Sequence, residues 1–134
     1  AHATVLGRIL LSDLSLPDLR ALYPEPKLPS YTAKTPTQIA DLQALMAQDR
    51  ARGYGISMGG FETGISTIAA PVFNDRGAVA AAVSISVPAQ RIDDGALPAL
   101  VDMVRAAAAQ LTERISHLPS RGGWPQKNQE QKKP

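Results

Sequence analysis

Three hydroxyl side chains stand in two apolar, β-branched stretches of this sequence. Thr67 lies in the first stretch, and Ser84 and Ser86 lie in the second. Side chains of a strand alternate between its two faces, so Ser84 and Ser86 share one face of a strand. A face that mixes hydroxyls with small apolar groups predicts a small cavity that holds a compact polar ligand by hydrogen bonds. An alternative stays open, in which each hydroxyl only bonds a neighbouring backbone group.

The two stretches that must position these hydroxyls are Ile65–Phe73 and Ala78–Val87. The four residues between them, 74–77, read Asn-Asp-Arg-Gly. Asn and Asp bond their own main chain, and Gly adopts positive φ without strain. Two strand-like stretches joined by such a turn predict an antiparallel hairpin. Pro71 has no N–H for a ladder, so we expect it at an edge or a bulge.

Capping residues and apolar periodicity predict the remaining elements. The first two are a helix over Ala3–Leu11 capped by Thr4 and a helix from Ser15 to Leu22. A third helix is capped by Thr35, with Pro36 at its first position and Gln38 completing a capping box. A strand over Tyr54–Met58 follows, and a last helix is capped by Asp93 to Gly95. The third helix is expected to end at Gly53, with Asp49 off its apolar stripe and Arg50 and Arg52 in solvent. The last helix is expected to end at Pro119 and to bury Leu111 and Leu118.

Two blocks of this sequence resemble a known family. The pattern GY-x(9)-G-x(3)-IAAPV-x-ND-x-G-x-V-x-A-A-x-SIS-x-P covers Gly53–Pro88, and HAT-x-x-GR-x-LL covers His2–Leu11. Together they resemble the core of the effector-binding domain of IclR-type transcription factors, over Ala1 to about Leu118. This combination, in this order, is specific and is not a generic sheet pattern.

The resemblance implies an α+β fold, with a GAF-like, mainly antiparallel sheet and flanking helices. It implies an effector-binding domain over 1–118, and we interpret 119–134 as a mobile tail because it lacks periodicity. The chain begins inside the resemblance. We therefore expect the first strands of the domain, a linker helix and a winged helix-turn-helix domain to be missing, so that DNA is contacted only through that absent domain.

The resemblance also implies the positions of an effector pocket. Carried over residue by residue, the pocket comprises Val5, Leu6, Ser57, Ile65, Thr67, Ser84 and Ser86. Val5, Leu6 and Ile65 would supply apolar walls, and the four hydroxyls would supply hydrogen bonds.

This sequence departs from the family pattern beside the third predicted strand. Members commonly carry Asp where Ser57 stands and a Glu pair where Gly59 and Gly60 stand, whereas Glu62 is present but displaced. The loss of these carboxylates is expected to make the pocket more tolerant of anions. We hypothesise that a carboxylate is held by hydroxyls and main-chain N–H groups, without a buried Arg or Lys.

Composition narrows the function classes. The 134 residues suffice for one core, and 44% of them are hydrophobic. The sequence has no Cys, no signal peptide, no apolar run of about 18 residues and no catalytic or phosphate-binding motif. Of the net charge of +2, residues 119–134 carry +3, so the rest is near neutral and has no basic face for nucleic acid. We therefore expect no enzyme, no metal, no cofactor, no membrane segment and a cytoplasmic location.

The resulting interpretation is a ligand-sensing and oligomerisation domain. Its effector would be a small organic acid or aromatic carboxylate, and the protein would be a homodimer or homotetramer. One alternative is a GAF-type sensor module of another signalling protein. Another is a ligand-free dimerisation domain, in which the space between Leu6, Thr67 and Ser86 would be filled or collapsed.

Overall fold

The computed structural model describes residues 1–93 and 95–116. Its elements are α1 (Val5–Leu11), α2 (Leu16–Leu22), α3 (Ile39–Arg52), β1 (Gly55–Met58), β2 (Ile65–Phe73), β3 (Val79–Pro88), a short 3₁₀ helix (Ala89–Arg91) and α4 (Leu97–Ser116). The predicted tail, the predicted end of the last helix at Pro119 and the predicted burial of Leu118 lie outside the described residues.

The three strands form an antiparallel sheet in the order β1-β2-β3, with helices on both faces, so the predicted α+β fold is confirmed. The hairpin between β2 and β3 forms as expected. Asn74 Oδ1 accepts hydrogen bonds from the backbone N–H groups of Arg76 and Ala78 at 2.9 and 3.0 Å. Gly77 has φ +74°, the left-handed conformation for which glycine is suited.

Pro71 lies where β2 has a neighbour on one side only. The pairing of β1 ends at Gly55 opposite Ala69, whereas Pro71 is paired with Ala82 of β3. A register shift follows directly, between Val72 and Phe73. The prediction that Pro71 sits at an edge or bulge is confirmed, since no ladder bond is needed from it on the open side.

The two faces of the sheet pack on different helices. Ile68, Ala70 and Val72 of β2 form one buried cluster with Val101, Val104 and Ala108 of α4. On the opposite face, Ala69 packs against Val5 and Ile9 of α1. This arrangement holds α1 over the side of the sheet that carries Thr67 and Ser86.

The predicted burial of Leu111 is wrong, because this residue is 41% exposed to solvent. The stripe of α4 that faces the sheet continues from the buried Ala108 to the half-buried Thr112, whose Oγ1 accepts a hydrogen bond from Phe73 N at 3.0 Å. Leu111 and Thr112 follow Ala108 by three and four residues, so they lie on opposite sides of the helical stripe. Thr112 is the one that contacts the sheet.

The predicted start of the third helix is also wrong. Gln38 is the residue before the first turn, and its side chain makes no capping bond. The Thr35 hydroxyl instead accepts from Tyr31 N and Thr32 N and donates to Gly60 O at 2.6 Å. A threonine hydroxyl can bond the N–H groups of a helix start or the backbone of a loop. Here the hydroxyl of Thr35 bonds the loop at Gly60, and the capping box does not form. The predicted end at Gly53 is confirmed, with φ +80°.

Asp49 is buried, contrary to its predicted place off the apolar stripe. Its carboxylate accepts from Arg8 Nε at 2.9 Å and from Arg52 Nη2 at 2.7 Å. Arg8 also donates to Ile56 O at 3.0 Å, so the pair joins α1, α3 and β1. Arg52 is consequently half-buried rather than solvated, whereas the Arg50 side chain is 63% exposed as expected.

Candidate ligand-binding site

The sheet register places three of the predicted hydroxyls in one row. Ser57 of β1 is opposite Thr67 of β2, and Thr67 is opposite Ser86 of β3. Thr67 Oγ1 and Ser86 Oγ are 2.9 Å apart and share a hydrogen bond. Because directly opposed residues point to the same face, the row crosses all three strands on the side covered by α1.

A cavity of about 200 Å³ lies over this row, and we call it the hydroxyl cavity. It is lined by Thr4, Val5, Leu6, Ser57, Gly60, Phe61, Glu62, Ile65, Thr67 and Ser86. The lining includes every predicted pocket residue except Ser84. The first turn of α1 forms one wall, the sheet forms the floor, and the loop after β1 forms the rim.

Ser84 lies on the same face of the sheet but outside the hydroxyl cavity. It is opposite Ala69 and precedes Ser86 by two residues in β3. Ala69 and the adjacent Ala82 pack with Val5 and Ile9 of α1, which covers the sheet at this point. Strand alternation correctly predicts the face of Ser84, but the position of α1 excludes it from the lining.

The hydroxyls are engaged in different ways. Ser57 Oγ accepts from Gly60 N at 3.2 Å, which matches the alternative in which a hydroxyl bonds nearby backbone. Thr67 and Ser86 bond each other instead. Each hydroxyl has one donor hydrogen and two acceptor lone pairs, so a mutually bonded pair keeps one hydrogen and acceptor sites for a ligand.

The rim loop is held from outside by two threonines. Thr32 Oγ1 donates to Gly59 O at 2.7 Å, and Thr35 Oγ1 donates to Gly60 O. A Cβ at Gly60 would lie 2.6 Å from Ser57 Oγ, so glycine permits the close approach between rim and floor. The ring of Phe61 lies 5.1 Å from that of Tyr31.

Sequence reasoning did not connect Phe61 and Thr4 with the site, and it treated Gly60 and Glu62 as departures from the family pattern beside the pocket without naming them as pocket residues. The available signal was the departure from the family pattern at Gly59 and Gly60, since paired glycines permit a close turn beside Ser57. Glu62 retains one carboxylate at the rim, and none of the described lining residues is Lys, Arg or His. The described lining therefore offers hydrogen-bonding and apolar groups, and no arginine or lysine for an ion pair.

A larger cavity of about 580 Å³ lies elsewhere, between α1, α3, the β2–β3 turn and α4. None of the predicted pocket residues lines it. The smaller cavity is the candidate effector site, because hydroxyls from three strands line it beside an apolar wall. Within residues 1–93 and 95–116, no cluster of His, Cys, Asp or Glu is suited to hold a metal ion. No helix in the same part of the chain is long and apolar enough to cross a membrane.

Comparison with known proteins places this geometry in a family. The family model "Bacterial transcriptional regulator IclR C-terminal" matches residues 1–113. The HTH-type transcriptional regulator BhcR of Paracoccus denitrificans is 37% identical over 111 residues, which are 83% of this chain and 40% of BhcR. The chain thus spans less than half the length of this relative.

Solved structures agree with the sequence comparison. The C-terminal domain of Escherichia coli KdgR is similar with a TM-score of 0.77 at 29% identity, over 87% of this chain and 71% of that domain. The inducer-binding domain of Acinetobacter PobR, a double mutant in complex with 3-hydroxybenzoic acid, is similar with a TM-score of 0.73 at 28% identity, over 83% of this chain and 64% of that domain. The chain therefore belongs to the IclR family of bacterial transcriptional regulators and corresponds to its C-terminal, effector-binding domain.

Proposed function

We propose that this domain senses a small organic acid or aromatic carboxylate in the hydroxyl cavity. Thr67 and Ser86 bind the polar end of the effector, and Val5, Leu6 and Ile65 contact its apolar part. Membership of the IclR family argues against the alternative of a sensor module from another signalling protein.

The observation that carries the proposal is the hydroxyl pair of Thr67 and Ser86 on the cavity floor, 2.9 Å apart. Neither hydroxyl bonds the backbone, so a ligand group is able to accept or donate there without breaking a secondary-structure bond. A filled or collapsed space between Leu6, Thr67 and Ser86 would favour an interaction domain without a ligand. That space is instead a cavity of about 200 Å³.

The size of the cavity limits the effector. Pockets for drug-sized ligands are roughly 300–1,000 Å³, so a volume of 200 Å³ suits a more compact molecule. The complex of the PobR domain with 3-hydroxybenzoic acid supports an aromatic acid of similar size. With Ser57 in place of a carboxylate, an anionic group near the floor meets less repulsion, and Glu62 remains only at the exposed rim.

The signal would pass to DNA through subunit geometry. An effector shifts an equilibrium only when its affinity differs between two arrangements. In this proposal the domain forms a homodimer or homotetramer in the cytoplasm, and a separate DNA-binding domain contacts the operator. No catalytic step, metal or cofactor takes part. The domain comprises residues 1–118, with 119–134 as a tail.

A thermal-shift screen of aliphatic and aromatic carboxylic acids tests the proposal. A ligand present at 100 times its dissociation constant adds about 2.7 kcal/mol to stability. The matched control is the Thr67→Val/Ser86→Ala double variant, which keeps the apolar walls. An acid that stabilises the wild-type chain and not the double variant supports the proposal. Equal stabilisation of both would refute this site, and no response to any acid would favour the ligand-free interaction domain.

A further inference from the structure

The cavity of about 580 Å³ between α1, α3, the β2–β3 turn and α4 is called here the α4 cavity. Its apolar lining includes Ile9, Ala70, Phe73, Val79 and Ala108. The volume lies within the roughly 300–1,000 Å³ of pockets that bind small organic molecules. It is therefore large enough for the apolar body of a ligand.

The edge of β2 that faces this cavity is not suited to an added strand. Pro71 lines the cavity and has no N–H, and the N–H of Phe73 is already bound to Thr112 Oγ1. Strand addition needs alternating free N–H and C=O groups along the edge. The geometry thus favours a small molecule over a peptide strand.

Among the described residues that line the α4 cavity, Arg105 is the charged side chain without a salt-bridge partner. Asp49 is buried and paired with Arg8 and Arg52, as described above. Asp13 is bonded to Arg50 at 3.1 Å and to Val79 N at 2.7 Å. Arg105 also lines the cavity, is exposed, and forms no salt bridge with another residue in the described part of the chain.

We propose that the α4 cavity is a second binding site, separate from the hydroxyl cavity, for an amphipathic organic carboxylate. The carboxylate pairs with the guanidinium of Arg105, which presents several donors in a planar fork. The hydrocarbon or aryl part lies against Ile9, Phe73 and Ala108. A ligand of this kind places its negative charge beside Arg105 and covers the apolar lining.

Calorimetric titration of the 134-residue chain with octanoate, and with 1-octanol as the uncharged counterpart, tests this inference. We expect saturable octanoate binding and at least fivefold weaker binding of 1-octanol. Arg105→Gln should weaken octanoate at least fivefold. Arg114→Gln, which removes an exposed arginine of the same helix outside the cavity, should leave it within twofold.

A second pair of variants tests the location without removing charge. Ala109 lines the α4 cavity and Ala106 does not, although both are exposed on α4. Ala109→Phe should fill the space and abolish octanoate binding, and Ala106→Phe should leave it unchanged. Absence of saturable octanoate binding to the wild-type chain would overturn the inference.

Thr67→Val separates this inference from the proposed effector site. Octanoate binding that is lost with Thr67→Val and kept with Arg105→Gln would place octanoate in the hydroxyl cavity and overturn the second site. Octanoate binding that survives Thr67→Val and is lost with Arg105→Gln would support the second site whatever the outcome of the effector screen.

Discussion

Arg8 Nε and Asp49 Oδ2 are 2.9 Å apart, and their side chains are 4% and 2% exposed. Arg8 belongs to α1, the helix whose first turn forms a wall of the hydroxyl cavity. Asp49 belongs to the last turn of α3, and Arg8 also reaches the carbonyl of Ile56, the residue before Ser57. This buried pair therefore fixes the wall of the cavity relative to its floor.

Removal of one partner from this pair is predicted to destabilise the domain strongly. Asp49→Ala leaves the Arg8 guanidinium buried without its carboxylate, which typically costs about 3–5 kcal/mol. Urea unfolding of the two proteins measures the difference in free energy. Arg50→Ala is the control, because its exposed pair with Asp13 is worth no more than about 1 kcal/mol. Equal losses in the two variants would contradict the prediction.

Gly55→Ala is predicted to disturb both the buried pair and the cavity wall. A Cβ at this position would overlap Val5 Cγ2 and lie 3.0 Å from Asp49 Oδ2. Overpacking of this kind costs about 1–3 kcal/mol. Gly95→Ala is the control, since its Cβ would lie 3.4 Å from the nearest atom, Asp93 Oδ1, which is ordinary contact. Thermal unfolding should show a lower Tm for Gly55→Ala only.

Loss of the floor hydroxyls is predicted to affect binding more than folding. The pair of Thr67 and Ser86 is exposed, and cross-strand pairs contribute about 0.2–1 kcal/mol. Thr67→Val should therefore change the free energy of unfolding by less than about 1 kcal/mol. A lost hydrogen bond to the carboxylate of the effector costs about 1.5–3 kcal/mol, or roughly tenfold to a hundredfold in Kd. Calorimetry with an acid from the screen measures this, and an unchanged Kd in both Thr67→Val and Ser86→Ala would contradict it.

Ser57→Asp is predicted to weaken an anionic effector. The substitution adds a carboxylate beside Thr67 on the cavity floor, and two like charges repel in a partly dehydrated site. Ser57→Asn is the matched variant, because it has nearly the same shape without the charge. Calorimetry should give at least tenfold weaker binding of the acid for Asp than for Asn. Tighter or equal binding to Ser57→Asp would contradict the anion-tolerance hypothesis.

The hairpin shows why part of this fold is readable from sequence. Asn74 bonds the N–H groups of the turn that follows it, and Gly77 adopts the positive φ that the turn needs. Pro71 has no N–H and so cannot pair with a strand on its open side. Gly53 likewise ends α3 by its own positive φ. Such residues bias conformation independently of distant contacts, so their outcome is predictable from residue type and position.

Thr35 and Asp49 show why other features of the fold could not be predicted from the sequence. Thr35 has the right type and spacing for a helix cap, but the carbonyl of Gly60, 25 residues away, takes its hydroxyl. Asp49 has the polarity of a solvent residue, but Arg8, 41 positions away, draws it into the interior. In both cases the deciding partner is remote in the sequence, and only the packed chain brings it within reach.

In the candidate site, too, some features follow from the local sequence and others depend on the packing of distant elements. Strand alternation alone places Ser84 and Ser86 on one face, and residue chemistry alone makes that face a hydrogen-bonding surface. Which of the two lines a cavity depends on the position of α1. Val5 and Ile9 pack directly on Ala69, whereas a cavity separates the first turn of α1 from Thr67 and Ser86. Local periodicity determines which way a side chain points, whereas the packing of separate elements decides whether it meets a cavity or another side chain.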